Sequence, residues 1–138
     1  MEIIWTLVTP PEPVDGIKNF ICAALYSPPR SKLNDKFLEH LQFNLNRLTA
    51  IYNGAGVIIG GDINNLPVEK IRCCYPDLKN LVADPTHGSR VLDVVISNLH
   101  ISYDKAAILP PIQPDDPRHG KPSDHKVAIV RPNLDLGY

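Results

Sequence analysis

The stretch that most constrains this chain is Gly56-Val57-Ile58-Ile59-Gly60-Gly61-Asp62-Ile63-Asn64-Asn65. A short β-branched run bounded by glycines reads as a buried strand. It stops at an aspartate and two asparagines, so a rigid backbone delivers polar side chains where a strand end meets a cleft. The same residues also suit a plain strand-to-turn junction, because Asp and Asn favour turns through local hydrogen bonds. What separates the two readings is the rest of the chain.

Upstream, residues 3–8 form an apolar run around Trp5, closed by Thr9-Pro10-Pro11. Residues 19–26 form a second run, closed by Ser27-Pro28-Pro29, since consecutive prolines cannot continue a central ladder. Two runs joined by a short polar turn are expected to be antiparallel neighbours. Over residues 32–52 the period changes. Phe37, Leu38, Leu41, Leu45, Leu48 and Ile51 fall on one helical stripe, and Asn53-Gly54 supplies the stop. Strand, helix and strand imply a crossover and a layered α/β fold. Downstream, residues 67–74 read as a short helix with proline in its first turn. Residues 77–82 read as a further helical turn, 91–97 as a buried strand carrying one acid, and 106–109 and 126–130 as two short strands. No internal repeat or linker divides the chain, so residues 1–138 are expected to form one domain.

With 43% hydrophobic and 21% charged residues, the chain has the make-up of a globular domain rather than a disordered one. No apolar run reaches membrane-span length, and Met1-Glu2-Ile3-Ile4-Trp5 lacks a signal peptide's basic start. An intracellular setting, nuclear or cytoplasmic, with no membrane partner, is therefore expected. Three cysteines, two of them adjacent at Cys73-Cys74, suit neither a disulfide framework nor zinc spacing, and read as buried or half-buried thiols. A formal net charge of −1 argues against tight holding of nucleic acid through its phosphates.

Asp93 lies inside an apolar run, where an unpaired carboxylate would be costly, so it needs a partner. One candidate is His125 in Pro122-Ser123-Asp124-His125: an acid on one imidazole nitrogen fixes the tautomer and stabilises the imidazolium. The alternative is an Asp93 contact with Arg90 or backbone, with His125 capping a turn. Thr86-His87-Gly88-Ser89-Arg90 could offer hydroxyl, N–H and guanidinium groups to a phosphate, or could be an ordinary polar loop, above all at His87 and Ser89. Tyr26, at a strand end, could reach a phosphate oxygen. Tyr52, Tyr75, Tyr103 and Tyr138 read as packing residues, and His40, His100 and His119 as solvated or lightly packed.

Four motifs occur in order: Ala24-Leu25-Tyr26-Ser27-Pro28-Pro29, Ile59-Gly60-Gly61-Asp62-Ile63-Asn64, Pro85-Thr86-His87-Gly88-Ser89-Arg90-Val91-Leu92-Asp93 and Ser123-Asp124-His125. Together they resemble the endonuclease/exonuclease/phosphatase superfamily, and within it the endonuclease domains of non-LTR retrotransposon reverse-transcriptase proteins. The resemblance implies a four-layer α/β sandwich of the deoxyribonuclease I-like type and metal-dependent phosphodiester hydrolysis. By position, it implies that Asp62 activates water and Asn64 holds a phosphate oxygen. It also implies that His125, paired with Asp93, stabilises charge on phosphorus, that Asp124 helps hold Mg²⁺ (Mn²⁺ as substitute), and that Tyr26 contacts the phosphate. Thr86 and Arg90 would be weaker phosphate contacts.

The family pattern also opens with an asparagine and a metal-binding glutamate, both upstream of the region matching Trp5. The chain is thus expected to correspond to the C-terminal portion of such a domain, its N-terminal part missing and its Mg²⁺-dependent activity impaired. Expected partners are transiently bound DNA, the remainder of the domain and a fused reverse transcriptase. The alternatives are a non-catalytic remnant acting as an interaction module, and a phosphatase or lipid phosphodiesterase of the same superfamily.

Overall fold

The computed structural model describes residues 1–115, 118 and 120–133. The expectations for His119 and Tyr138 lie outside the described residues. Strands β1 (Glu2–Val8), β2 (Phe20–Tyr26), β3 (Gly56–Asp62), β4 (Lys79–Asn80) and β5 (Asp93–Ser97) form one mixed sheet in the order β1-β2-β3-β5-β4. β1 runs antiparallel to β2, and β2 runs parallel to β3. Parallel pairing needs a crossover, which helix α1 (Asn34–Ile51) provides. A second helix, α2 (Val68–Arg72), follows β3, and β6 (Ala107–Leu109) pairs with β7 (Val127–Ile129) as a separate ribbon. Among the described residues no helix is long and apolar enough to cross a membrane.

The core lies between α1 and one face of the sheet. Phe37, Leu41 and Leu45 of the helical stripe pack with Ala23, Leu25, Val57, Ile59, Val94 and Ile96. These alternate along their strands, as period-2 geometry requires. Leu41 and Leu45 are fully buried, each contributing about 1.5–3 kcal/mol relative to an exposed side chain. The stripe does not stay buried to its end, since Ile51 is exposed in the last turn. Cys74 packs in this core, and burial, with Cys73 beside it, pushes its thiol up to about 11, which leaves it inert. Cys73, expected to be at least half-buried, is exposed.

Two sequence expectations need correction. Residues 77–82 contain strand β4 rather than a helical turn. Asp77 takes a positive φ of 63°, which ends any helix, and Lys79 and Asn80 then pair with Ser97 and Ile96. Asp93 is the first residue of β5 and not an interior one, with a side chain one-quarter exposed (25%). Its desolvation is correspondingly milder than a buried strand acid would suffer.

The two glycines at the end of β3 do different work. A Cβ on Gly61, whose φ is +150°, would lie 1.8 Å from the Leu25 carbonyl oxygen, whereas one on Gly60 would meet Val94 O at 3.7 Å. Gly61 therefore lets β3 close on β2 where the site residues emerge. Gly61→Ala is expected to destabilise the fold by about 3 kcal/mol or more, from backbone strain plus overpacking. Gly60→Ala should cost markedly less, and denaturant unfolding of the two variants checks the difference.

Candidate active site

Strand register assembles the site. Tyr26 pairs with Asp62 across β2 and β3, and Asp62 pairs with Asp93 across β3 and β5. Three polar side chains thus lie in one row at one end of the sheet, on the face turned away from α1. The backbone continues the pairing past the row through Ser27 N–H to Asp62 O (2.9 Å) and Ile63 N–H to Leu92 O (2.8 Å).

His125 reaches this row from the loop before β7. Its Nδ1 lies 2.8 Å from Asp93 Oδ2, and its Nε2 lies 3.9 Å from Asp62 Oδ2. The first is a charge-assisted hydrogen bond; the second is too long for one and leaves both groups available. The Asp93 bond is the main cause that raises the His125 pKa above the ordinary imidazole value, with further support from Asp62 and Asp124. Arg90, the other side-chain candidate for Asp93, donates from Nη2 to Asn65 Oδ1 at 2.9 Å.

Asn64, at a positive φ of 44°, donates its backbone N–H to Asp62 Oδ1 (3.0 Å) and its amide Nδ2 to Ser27 O (2.8 Å). The first bond orients the Asp62 carboxylate. The second uses one amide hydrogen and leaves the other free for an external oxygen. Tyr26 is 44% exposed beside Asp62. Asp124, with an 80% exposed side chain, sits 3.0 Å from His87 Nε2, and this bond is the main cause holding its carboxyl below the usual range.

Two assignments change. Thr86, expected at a phosphate, is fully buried, and its Oγ1 accepts the N–H groups of Leu92 and Asp93 at 3.1 Å each. It holds the start of β5 and cannot meet a ligand. His87, read as an ordinary loop residue, belongs to the site: its ring lies 4.9 Å from that of His125, tilted by 51°. A tight turn at 87–90, with Gly88 at a φ of +56°, and the Lys126 N–H to Thr86 O bond (2.7 Å) bring the two loops together. Nothing in the local sequence pairs residue 87 with residue 124. Asn65, part of the opening motif but given no role by the sequence, joins Pro29 O on one side and Arg90 on the other through its amide, tying three loops. His40 stays apart, bonded to Asn44 on α1.

The fold is that of the deoxyribonuclease I-like endonuclease/exonuclease/phosphatase proteins. The chain superposes on the endonuclease domain of TRAS1, a telomere-specific non-LTR retrotransposon, with a TM-score of 0.68 at 13% identity, covering 96% of this chain and 64% of that one. It also matches the human Nocturnin catalytic domain (TM-score 0.55, 18% identity, 94% of this chain and 52% of that one). A third match is an endonuclease/exonuclease/phosphatase family protein from Bacteroides thetaiotaomicron (TM-score 0.53, 12% identity, 83% and 50%). The chain thus spans about half to two-thirds of the length of these structures. No protein-family model matches the sequence. No curated protein matches it either.

Two outcomes follow from the contacts. Because the His125 pKa is raised on folding, the pair's stabilisation is fully present below the unfolded imidazole pKa of about 6.5 and is lost as pH rises through the folded value. Asp93→Asn should lower the His125 pKa and flatten that dependence, read by NMR titration of the imidazole and by denaturation across pH. Thr86→Val, which keeps the shape but removes the acceptor, should cost about 1–3 kcal/mol in denaturant unfolding by leaving two N–H groups unpaired.

Proposed function

We propose that this chain carries the hydrolytic face of a phosphodiesterase, with DNA as the transiently bound substrate. The carrying observation is the Asp93–His125 bond of 2.8 Å set beside Asp62 at 3.9 Å. A carboxylate-held imidazolium next to a second, free carboxylate suits phosphoryl transfer, which depends on positioning and on neutralising charge. In this reading Asp62, oriented by the Asn64 N–H, accepts a proton from the attacking water as the water oxygen bonds to phosphorus. The P–O bond to the leaving ester oxygen breaks, and that oxygen takes a proton from solvent. His125 donates from Nε2 to a phosphate oxygen while Nδ1–H stays on Asp93, and the remaining Asn64 amide hydrogen and the Tyr26 hydroxyl steady the phosphodiester. A net charge of −1 accords with brief contact rather than tight grip.

The Mg²⁺ implied by the resemblance fits these residues poorly. Mg²⁺ asks for six oxygen ligands in near-octahedral array. The grouping of possible ligands found here is two imidazoles with the single carboxylate of Asp124, among the described residues. No step is therefore assigned to Mg²⁺. The retrotransposon setting, with a fused reverse transcriptase, is proposed on the same likeness of fold.

The test is hydrolysis of bis(p-nitrophenyl) phosphate and nicking of supercoiled plasmid by the purified chain. His125→Ala and Asp62→Asn should each lower the rate about 100-fold. The wild-type rate should fall as pH rises through the His125 pKa. Hydrolysis unaffected by His125→Ala, or no hydrolysis above buffer, overturns the reading, and a preference for phosphomonoesters moves it to a phosphatase.

A further inference from the structure

His87, Asp124 and His125 each bring one ligand atom into a group whose members all lie within 4.8 Å of one another. The His87 Nε2 to Asp124 Oδ2 separation is already 3.0 Å. Donors around a tetrahedral Zn²⁺ at about 2.0–2.1 Å from the ion stand about 3.4 Å apart. Closing the group onto one ion thus needs only small side-chain shifts, which the 80% exposed Asp124 is free to make. The two backbones that present the rings are fixed by the 87–90 turn and the Lys126–Thr86 bond.

Two independent features point to a cation. Asp93 already occupies Nδ1 of His125, the arrangement in which a carboxylate orients a histidine whose other nitrogen binds metal. Asp62 and Asp93, at 3.9 and 2.8 Å from the two ring nitrogens of His125, also set two more carboxylates beside the group, a negative setting that favours a cation. The donor chemistry selects the ion: imidazole favours Zn²⁺ and its neighbours, while Mg²⁺ favours oxygen.

We propose that His87, Asp124 and His125 form a site for one borderline divalent cation of the Zn²⁺ class, with Asp93 as its supporting carboxylate. The fourth position stays open to water or a phosphate oxygen. Occupancy takes the same His125 Nε2 that the proposed hydrolysis gives to phosphate, so the ion is an inhibitor of that reaction. This consequence rests on the hydrolytic reading; the binding does not.

The experiment titrates the purified, metal-free chain with Co²⁺, read by its visible d–d absorption, followed by competition with Zn²⁺ and with Mg²⁺. One equivalent of Co²⁺ is expected, displaced by Zn²⁺ and left in place by Mg²⁺. His87→Ala should weaken Co²⁺ binding about 100-fold and Asp93→Asn about 10-fold. Cys73→Ser and His40→Ala should leave it unchanged. On the wild-type chain, Co²⁺ should broaden the imidazole NMR signals of His87 and His125 and spare that of His40, a readout that needs no variant to fold. Absence of binding below millimolar Co²⁺, binding indifferent to His87→Ala, or broadening centred on another residue overturns the proposal. Zn²⁺ binding with no effect on a measured hydrolysis rate overturns only the inhibition.

Discussion

The whole site depends on the close approach of β3 to its two neighbours. β3 is parallel to β2 and antiparallel to β5, so the C-terminal ends of two strands and the N-terminal end of a third fall together. Gly61 makes that approach possible, since any side chain there would strike the Leu25 carbonyl. Once the three strands are locked, Tyr26, Asp62 and Asp93 are in one row without any further device. The loops then need only bring an imidazole to the row, and they do so through backbone bonds. The polar residues here are therefore as well placed as core residues, although they are partly exposed. That suits chemistry in which the cost of reorganising charge is avoided in advance.

Much of this was legible in the residues. The stripe over residues 32–52 and the β-branched run before Gly60 have unambiguous periods, and their order dictates a crossover. Chemistry asked only that Asp93 have a donor; the choice of His125 over Arg90 or backbone came from the order of the motifs and the resemblance they carry. The failures have common physical causes. Residues 77–82 have apolar spacing that fits one helical turn, but pairing with β5 outweighs so short a local preference. Thr86 looked like a ligand because a hydroxyl in a polar loop serves either water or backbone, and only the fold decides which. His87 was invisible for the opposite reason: its partner is 37 residues away and is brought close by loop contacts that leave no periodic trace.

Fold likeness and site chemistry are separate kinds of support. Structures at 12–18% identity establish how the strands are wound, and say nothing about which ion or substrate a given set of side chains prefers. His87 and His125 beside Asp124 make a mixed nitrogen and oxygen set, whose ion preference differs from that of an all-oxygen set.

Strand β1 has one further consequence. It is the outermost strand of the sheet, and its seven residues, Glu-Ile-Ile-Trp-Thr-Leu-Val, contain no proline and one charge, placed at the start. Ile4, Leu7 and Val8 are exposed along it. Such a rim is an open template: its outward amides and carbonyls can zip onto any extended segment. The segment can come from the same polypeptide, from another protein or from a second copy. A segment of the same polypeptide would cover the rim at any concentration, whereas a second copy would do so only as concentration rises.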